Sequence, residues 1–292
     1  MATRGRLLAV GVLPLVLLLV LVSCGVVSEA VSGPSDEPGD APPAVTVRSG
    51  DSSVDLPART YCYRSSCVDG VPPETLPVIA ASDTLEVGFP LDNWTFEATF
   101  VPAGKQCGGR EETVELERTG DTTLVLEPPG EPATYDVTLS GRGDGDLFVD
   151  FRWTTTAAGG HAAPTATLAV LADNDGDVDS YGVEMAVTHL AEEPARATAQ
   201  VTVTATNGRS LTFEPAPMKD RCTPAGTIVW RGPGAAGQSA KELGPAPFTY
   251  QVELVLDGVR HVAKAKWPAD QIVGNEPSVA LTFMPALPIR RR

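Results

Sequence analysis

Twice along this chain, apolar and polar residues alternate through one run, the chain reverses at a glycine-bearing turn, and alternation resumes. From Tyr135 the apolar positions continue at Val137 and Leu139; a Gly/Asp turn follows at 141–146, then Leu147, Val149, Phe151 and Trp153. In the second instance Tyr250, Val252, Leu254 and Leu256 lead into Asp257-Gly258. That pair suits a two-residue hairpin turn, because glycine accepts the positive φ required. Successive side chains of a strand point to opposite faces, so each run makes a ribbon with one apolar face. Such a ribbon is stable only when that face lies against a second sheet.

The two hairpins close two series that look like copies of one another. Thr95-Phe96-Glu97, Cys107, Tyr135 and Trp153 are matched in order by Thr212-Phe213-Glu214, Cys222, Tyr250 and Trp267. Cys to Tyr is 28 residues in both, and Tyr to Trp is 18 in one and 17 in the other. Shared order with near-equal spacing suggests duplication. Strands are predicted at 44–48, 60–63, 84–89, 94–101, 113–118, 122–127, 134–140 and 147–155. A second set is predicted at 165–172, 180–188, 197–206, 210–214, 226–230, 248–256, 259–267 and 278–284. The 28 glycines, 26 prolines and 6% aromatic content fit short strands joined by turns, and no 12-residue stretch carries a helical apolar stripe. The expected fold is all-β, with two tandem immunoglobulin-like β-sandwiches at 44–156 and 165–287, a linker at 157–164 and a basic tail at 288–292. About 270 residues beyond the N-terminal segment suit two domains of ordinary size.

That N-terminal segment reads as an export signal. Arg4 and Arg6 precede an apolar run from Leu7 to Val22, which ends in Leu21-Val22-Ser23-Cys24. The order resembles the lipobox of bacterial lipoproteins, in which cleavage precedes the cysteine and the cysteine is lipidated. The resemblance implies a signal peptide at 1–23, lipidation of Cys24, and anchoring at the extracytoplasmic face of the cell membrane. A retained membrane span is the alternative, but the run has 16 residues, interrupted by Gly11 and Pro14, where a spanning helix needs about 20. A signal cut without lipidation is the other. Residues 24–43 are rich in Pro, Gly, Ser and acids and read as a tether.

The net charge is −15. It argues against nucleic acid, which needs a basic face to neutralise phosphate. It also disfavours direct docking on anionic lipid heads, so the membrane would be reached through the lipid alone. Arg290-Arg291-Arg292 reads as a solvated tail.

Beyond Cys24 four cysteines remain, Cys62, Cys67, Cys107 and Cys222. An even count in an exported chain suits disulfides. A local Cys62–Cys67 clip with Cys107–Cys222 bridging the copies is the favoured pairing; Cys107 with Cys62 or Cys67 is the alternative. Zinc is disfavoured, since neither a CxxC nor a paired histidine accompanies them. Asp173, Asp175, Asp177 and Asp179 fall on alternate positions of one acidic turn, which could ligate calcium. The spacing fails the EF-hand template, and Asp and Gly suit a hairpin turn for local backbone reasons. No cofactor is otherwise expected.

Arg142-Gly143-Asp144 is explained by the turn it occupies. Asn93-Trp94-Thr95 is formally a glycosylation acceptor, but reads better as a strand start with Trp94 in the core. His161, His189 and His261 lie far apart, and Glu111-Glu112 and Glu192-Glu193 look like solvated pairs. No HExxH, GxSxG or phosphate-cradling loop is present. The chain is therefore expected not to be an enzyme.

Tyr61-Cys62 through Asp69-Gly70, Tyr135-Asp136-Val137 through Phe151-Arg152-Trp153, Tyr181-Gly182-Val183-Glu184, Trp267-Pro268-Ala269-Asp270 and Asn275-Glu276-Pro277 together resemble lipoproteins of high-GC Gram-positive, actinobacterial type. The likeness implies envelope location and β architecture, with no activity or site to carry over. The expected role is a non-catalytic binding or scaffolding module for an envelope protein or glycan. The alternatives are a calcium-stabilised adhesion module, and a cell-wall-directed enzyme or solute-binding lipoprotein.

Overall fold

A computed structural model describes residues 41–290, apart from 106, 174, 219, 221 and 274–276. The signal segment, Cys24 and most of the tether lie outside the described residues, as do Arg291 and Arg292. Among the described residues no helix is long and apolar enough to cross a membrane.

The first sandwich contains β1 (Val45–Ser49), β2 (Ser52–Leu56), β3 (Thr60–Tyr63), β4 (Ser66–Val68), β5 (Val78–Ser82) and β6 (Leu85–Gly88). It continues with β7 (Thr95–Pro102), β8 (Glu112–Glu115), β9 (Glu117–Arg118), β10 (Thr123–Leu126), β11 (Thr134–Arg142) and β12 (Gly145–Thr155). One sheet runs β2-β1-β6-β10-β9 and the other β4-β3-β12-β11-β7-β8, with β5 lying parallel to β12. With β1, β6, β7, β8, β9, β10, β11 and β12 lettered A, B, C, C′, D, E, F and G, the sheets are A-B-E-D and C′-C-F-G. That is the immunoglobulin strand order.

The second sandwich contains β13 (Thr165–Ala169), β14 (Ala172–Asp173), β15 (Val178–Asp179), β16 (Glu184–Thr188), β17 (Ala197–Thr204) and β18 (Ser210–Phe213). After β19 (Ala216–Met218) and β20 (Ile228–Arg231) come one short helix, α1 (Ala236–Lys241), then β21 (Phe248–Leu256), β22 (Val259–Trp267) and β23 (Ser278–Ala280). Its sheets run β19-β20-β16-β13-β23 and β18-β17-β21-β22. Lettered in the same way they are again D-E-B-A and C′-C-F-G, with β23 added beside A. The all-β tandem architecture is as expected, and it rests on this repeated strand order.

Alternation explains the cores. Val137, Leu139, Val149, Phe151 and Trp153 face inward with Val47, Val87 and Leu124 in one cluster. Val201, Val203, Tyr250, Val252, Leu254, Ala263 and Trp267 do so with Met185, Val187 and Trp230 in another. Tyr135, at the start of β11, donates its hydroxyl hydrogen to the Glu131 carbonyl at 2.8 Å. This bond back to the chain just upstream is the tyrosine corner of such sandwiches.

The copy-to-copy match holds only in part. Tyr135 and Tyr250 both lie on F, and Trp153 and Trp267 both on G. Yet Tyr135 is opposite Trp153, whereas Tyr250 is opposite Ala265 and Trp267 opposite Phe248. Thr95-Phe96-Glu97 opens the C strand β7, while Thr212 and Phe213 end the C′ strand β18. Those triplets are not equivalent. The run predicted as one strand at 113–118 is two: β8 pairs with β7, β9 pairs with β10 in the opposite sheet, and the crossing falls at buried Leu116.

Candidate functional site

A buried polar cluster lies where the two sandwiches meet, along the edge strand β8. Glu112 opens that strand and is 7% exposed. Its Oε1 faces His161 Nδ1 at 3.1 Å, and its Oε2 accepts the Ala162 amide at 2.9 Å. Arg290 reaches the same carboxylate from the far end of the chain, at 3.8 Å. The connection between the sandwiches is thus fastened to sandwich one. Gly130 also takes part: its amide donates to the Gly160 carbonyl at 2.8 Å. With φ of 45°, and a Cβ that would meet the His161 ring at 2.8 Å, that position requires glycine.

A second group of bonds crosses the same seam. The Arg110 guanidinium donates to the Leu190 and Ala191 carbonyls at 2.8 and 3.1 Å. The Ala225 amide donates to Gly109 at 3.2 Å. His189, held at φ of 57°, sits between the Thr113 and Thr188 hydroxyls, at 3.5 and 3.2 Å. Burial lowers its pKa; nearby Glu112 opposes that, and Arg110 adds to it. Burial likewise raises the Glu111 carboxyl. Pro102, Tyr135, His161 and the two arginines enclose a cavity of about 140 Å³ here.

Farther along β8, a groove of about 480 Å³ lies between sandwich one and the loop carrying Ile272 and Val273. Glu97 and Glu115 are register partners on its floor. Burial raises the Glu97 pKa, Glu115 adds to this, and Arg142 counters it. Opposed like charges on neighbouring strands are destabilising.

Both disulfides of the favoured pairing are formed. Cys62 and Cys67 are register partners on β3 and β4. Cys107–Cys222 spans 115 residues and joins the sandwiches beside the Arg110 contacts. Asp173, Asp175, Asp177 and Asp179 are not brought together. Asp173 accepts the Gly176 amide at 2.7 Å, Asp175 the Asp177 amide at 3.1 Å, and Asp179 pairs with Lys241 at 2.5 Å. Among the described residues no three His, Cys, Asp or Glu side chains form a metal-binding group. Asp179 through that bond, and Asp177 and Asp175 electrostatically, hold the Lys241 pKa up.

The Arg142-Gly143-Asp144 segment is the tip of the β11–β12 hairpin. A Cβ on Gly143 would meet the Trp94 ring at 2.6 Å, so packing selects that glycine. Trp94 itself is buried against Phe89 at 5.0 Å, as expected, and Asn93 is exposed at φ of 62°. His261 is buried, and its Nδ1 lies 2.8 Å from the Pro285 carbonyl.

Sequence reasoning missed the seam. In the sequence Glu112 and Arg290 read as solvated, and His161 falls in the predicted linker. Each lies in a polar stretch, and nothing local marks it as a partner of residues far along the chain. Within the predicted linker Gly159 is closely packed: a Cβ there would meet the Pro128 carbonyl oxygen at 1.6 Å.

No family model and no curated protein matches the chain. Among solved structures it is similar to the FN1-FN3 domains of chicken CNTN1, at 11% identity and a TM-score of 0.19, over 76% of this chain and 90% of that one. At that score the likeness carries no weight, and the assignment of two immunoglobulin-like sandwiches stands on their strand order.

Proposed function

We propose that the protein is an exported lipoprotein, held at the extracytoplasmic face of the cell membrane through Cys24, which presents two fused sandwiches as a non-catalytic binding or scaffolding module for an envelope partner. The observation that carries this reading is the pairing of all four cysteines beyond Cys24 in two disulfides. Disulfides persist in oxidising compartments outside the cytoplasm. The N-terminal order of arginines, short apolar run and Cys24 supports the same address. Acyl chains contribute about 0.8 kcal/mol per buried methylene, and two or more anchor stably. Segment 25–43 serves as the tether.

The seam supports the binding role over catalysis. Glu112, His161 and Arg290 face one another, Arg110 holds backbone of the facing sandwich and His189 meets two threonine hydroxyls, which suits a fastening that sets two surfaces in fixed relation. Replacing Cys24 with alanine is the test of the address. The variant loses acyl label and leaves the membrane fraction; if it stays anchored and uncleaved, a retained span replaces the lipid. Crosslinking in the native envelope, followed by identification of what is captured, tests the binding role.

A further inference from the structure

The outer face of the β18-β17-β21-β22 sheet carries two lysines without a carboxylate partner among the described residues. Alternation points Thr202, Thr204, Thr249, Gln251, Lys264 and Lys266 away from the core. Strand register sets them in two adjacent rows. One runs Lys264, Gln251, Thr202, Thr212; the next runs Lys266, Thr249, Thr204, Ser210. Each row has an ammonium at one end and hydroxyl or amide groups across the remaining strands, and neither contains a carboxylate. With strands about 4.8 Å apart, each row extends roughly 14 Å. In a chain of net charge −15, two adjoining rows that lack a carboxylate and end in lysine are a local reversal of sign; the next row carries Glu253, which Arg260 neutralises.

Several other cations on or beside the sheets are paired with a carboxylate where they stand. Arg152 pairs with Asp136, Arg59 with Asp150, and Arg48 with Glu86. On this very sheet Arg260 pairs with Glu253 at 2.6 Å. Among the described residues Lys264 and Lys266 form no ion pair. Guarding a sheet edge is the usual reason for lysine on an edge strand such as β22. This edge is already closed in part by other means, on either side of Lys264. Val262 exchanges both backbone bonds with Met284, at 2.9 and 2.8 Å. The Asp270 carboxylate accepts the Lys266 amide at 2.6 Å, and the Asp270 amide donates to the Lys266 carbonyl at 2.7 Å.

We propose that this face docks an acidic polysaccharide, with Lys264 and Lys266 taking its oxyanions and the Thr and Gln rows its hydroxyls. Threonine hydroxyls and the Gln251 amide both donate and accept, as a hydroxyl-rich polymer requires. Charge complementarity fixes the sign of the partner, and the hydrogen-bonding rows select a glycan over a bilayer. An anionic lipid surface reads charge alone, at about 1 kcal/mol per basic residue, which two lysines supply poorly against the overall negative charge. At physiological salt, repulsion from distant carboxylates is screened beyond about 8 Å, so the local sign governs contact.

The inference rests on the protein being a non-catalytic envelope binding module, and names its surface and the partner's chemistry. The full chain, purified in detergent, is titrated with polygalacturonate, dextran phosphate, neutral dextran of equal length, and phosphatidylglycerol vesicles. Expected is salt-sensitive binding to at least one acidic glycan, at least tenfold tighter than to neutral dextran. K264Q/K266Q weakens it at least tenfold, whereas R48Q/R231Q, removing the same charge elsewhere, leaves it within twofold. T202V/Q251L weakens glycan binding while its salt dependence persists. Equal binding to neutral dextran, no binding to either acidic glycan, an unaffected K264Q/K266Q variant with unchanged melting temperature, or binding to vesicles alone each overturns the surface. If those results come with an envelope partner still captured by crosslinking, the surface fails and the binding module stands. If Cys24→Ala stays anchored or nothing is captured, the wider reading fails.

Discussion

The Glu112 carboxylate lies 3.1 Å from the Nδ1 of His161, 49 residues later, and both side chains are nearly sealed from water. The same carboxylate holds the Ala162 amide and faces Arg290, so one side chain fastens three parts of the chain. Truncation leaves buried donors without an acceptor, which costs about 1–3 kcal/mol. Glu112→Ala is expected to lower stability by that amount and to raise amide exchange at Ala162. Glu112→Gln, which keeps an acceptor for that amide, costs less. Denaturant titration with exchange mass spectrometry measures both.

The two disulfides should contribute unequally. Cross-linking removes more freedom from the unfolded chain when the closed loop is longer, giving roughly 4–5 kcal/mol for a loop of about 100 residues and half that for a loop of a few. The Cys107–Cys222 loop spans 115 residues and the Cys62–Cys67 loop 5. C107A/C222A therefore lowers the denaturation midpoint more than C62A/C67A and broadens or splits the transition. Equal shifts would contradict this ordering.

His189 gives the seam a pH dependence of known sign. Its pKa is lowered first by burial, against Glu112 and with Arg110. The folded state therefore prefers the neutral ring, while the unfolded chain takes up a proton near pH 6.5. Stability is full above that point and falls as pH drops through it towards the lower folded value. Melting temperature between about pH 7.5 and 6 should fall more steeply in the parent than in His189→Gln. Glu97 and Glu111, raised by burial, act in the opposite sense at lower pH.

Two tyrosines on equivalent strands should respond oppositely to loss of the hydroxyl. Tyr135 donates to Glu131, so Tyr135→Phe costs about 0.5–1.5 kcal/mol. The buried Tyr250 hydroxyl forms no hydrogen bond of regular geometry, and burial drives its pKa far up against a weaker opposing effect of the Leu171 backbone. Tyr250→Phe is expected to be neutral or stabilising, since an unpaired buried hydroxyl is a cost. Paired thermal melts decide it.

At the hairpin tip, Gly143→Ala drives a methyl group into the Trp94 ring. Overpacking of this kind costs about 1–3 kcal/mol, and tryptophan fluorescence should report the shift. Asp144→Ala, on the exposed side of the same turn, should stay within about 0.5 kcal/mol.

The fold was legible wherever one face of a strand is buried and the other wet. Both strands of the Phe248–Leu256 and Val259–Trp267 hairpin match their sequence bounds, because alternation there is unbroken. Period-two patterning does not say which sheet a strand joins, so the change of sheet at Leu116 was invisible. Short edge elements such as β2, β4 and β19 were missed because they bury almost nothing. The seam was illegible for another reason. Glu112, His161, His189 and Arg290 are scattered polar residues, and only the packing of two finished sandwiches makes them neighbours.

The position of β8 also bears on how the chain is made. As the outer strand of its sheet it pairs on one side only, with β7, and His161, His189 and Arg290 cover it from later in the sequence. A chain that emerges N-terminus first therefore holds this strand uncovered until residues 161 and 189 arrive, and its cover is completed only with Arg290. Unpaired strand edges in partly made proteins invite association with other chains. A stop within the first sandwich's linker, before His161, would leave that sandwich able to form with this edge open to association during synthesis.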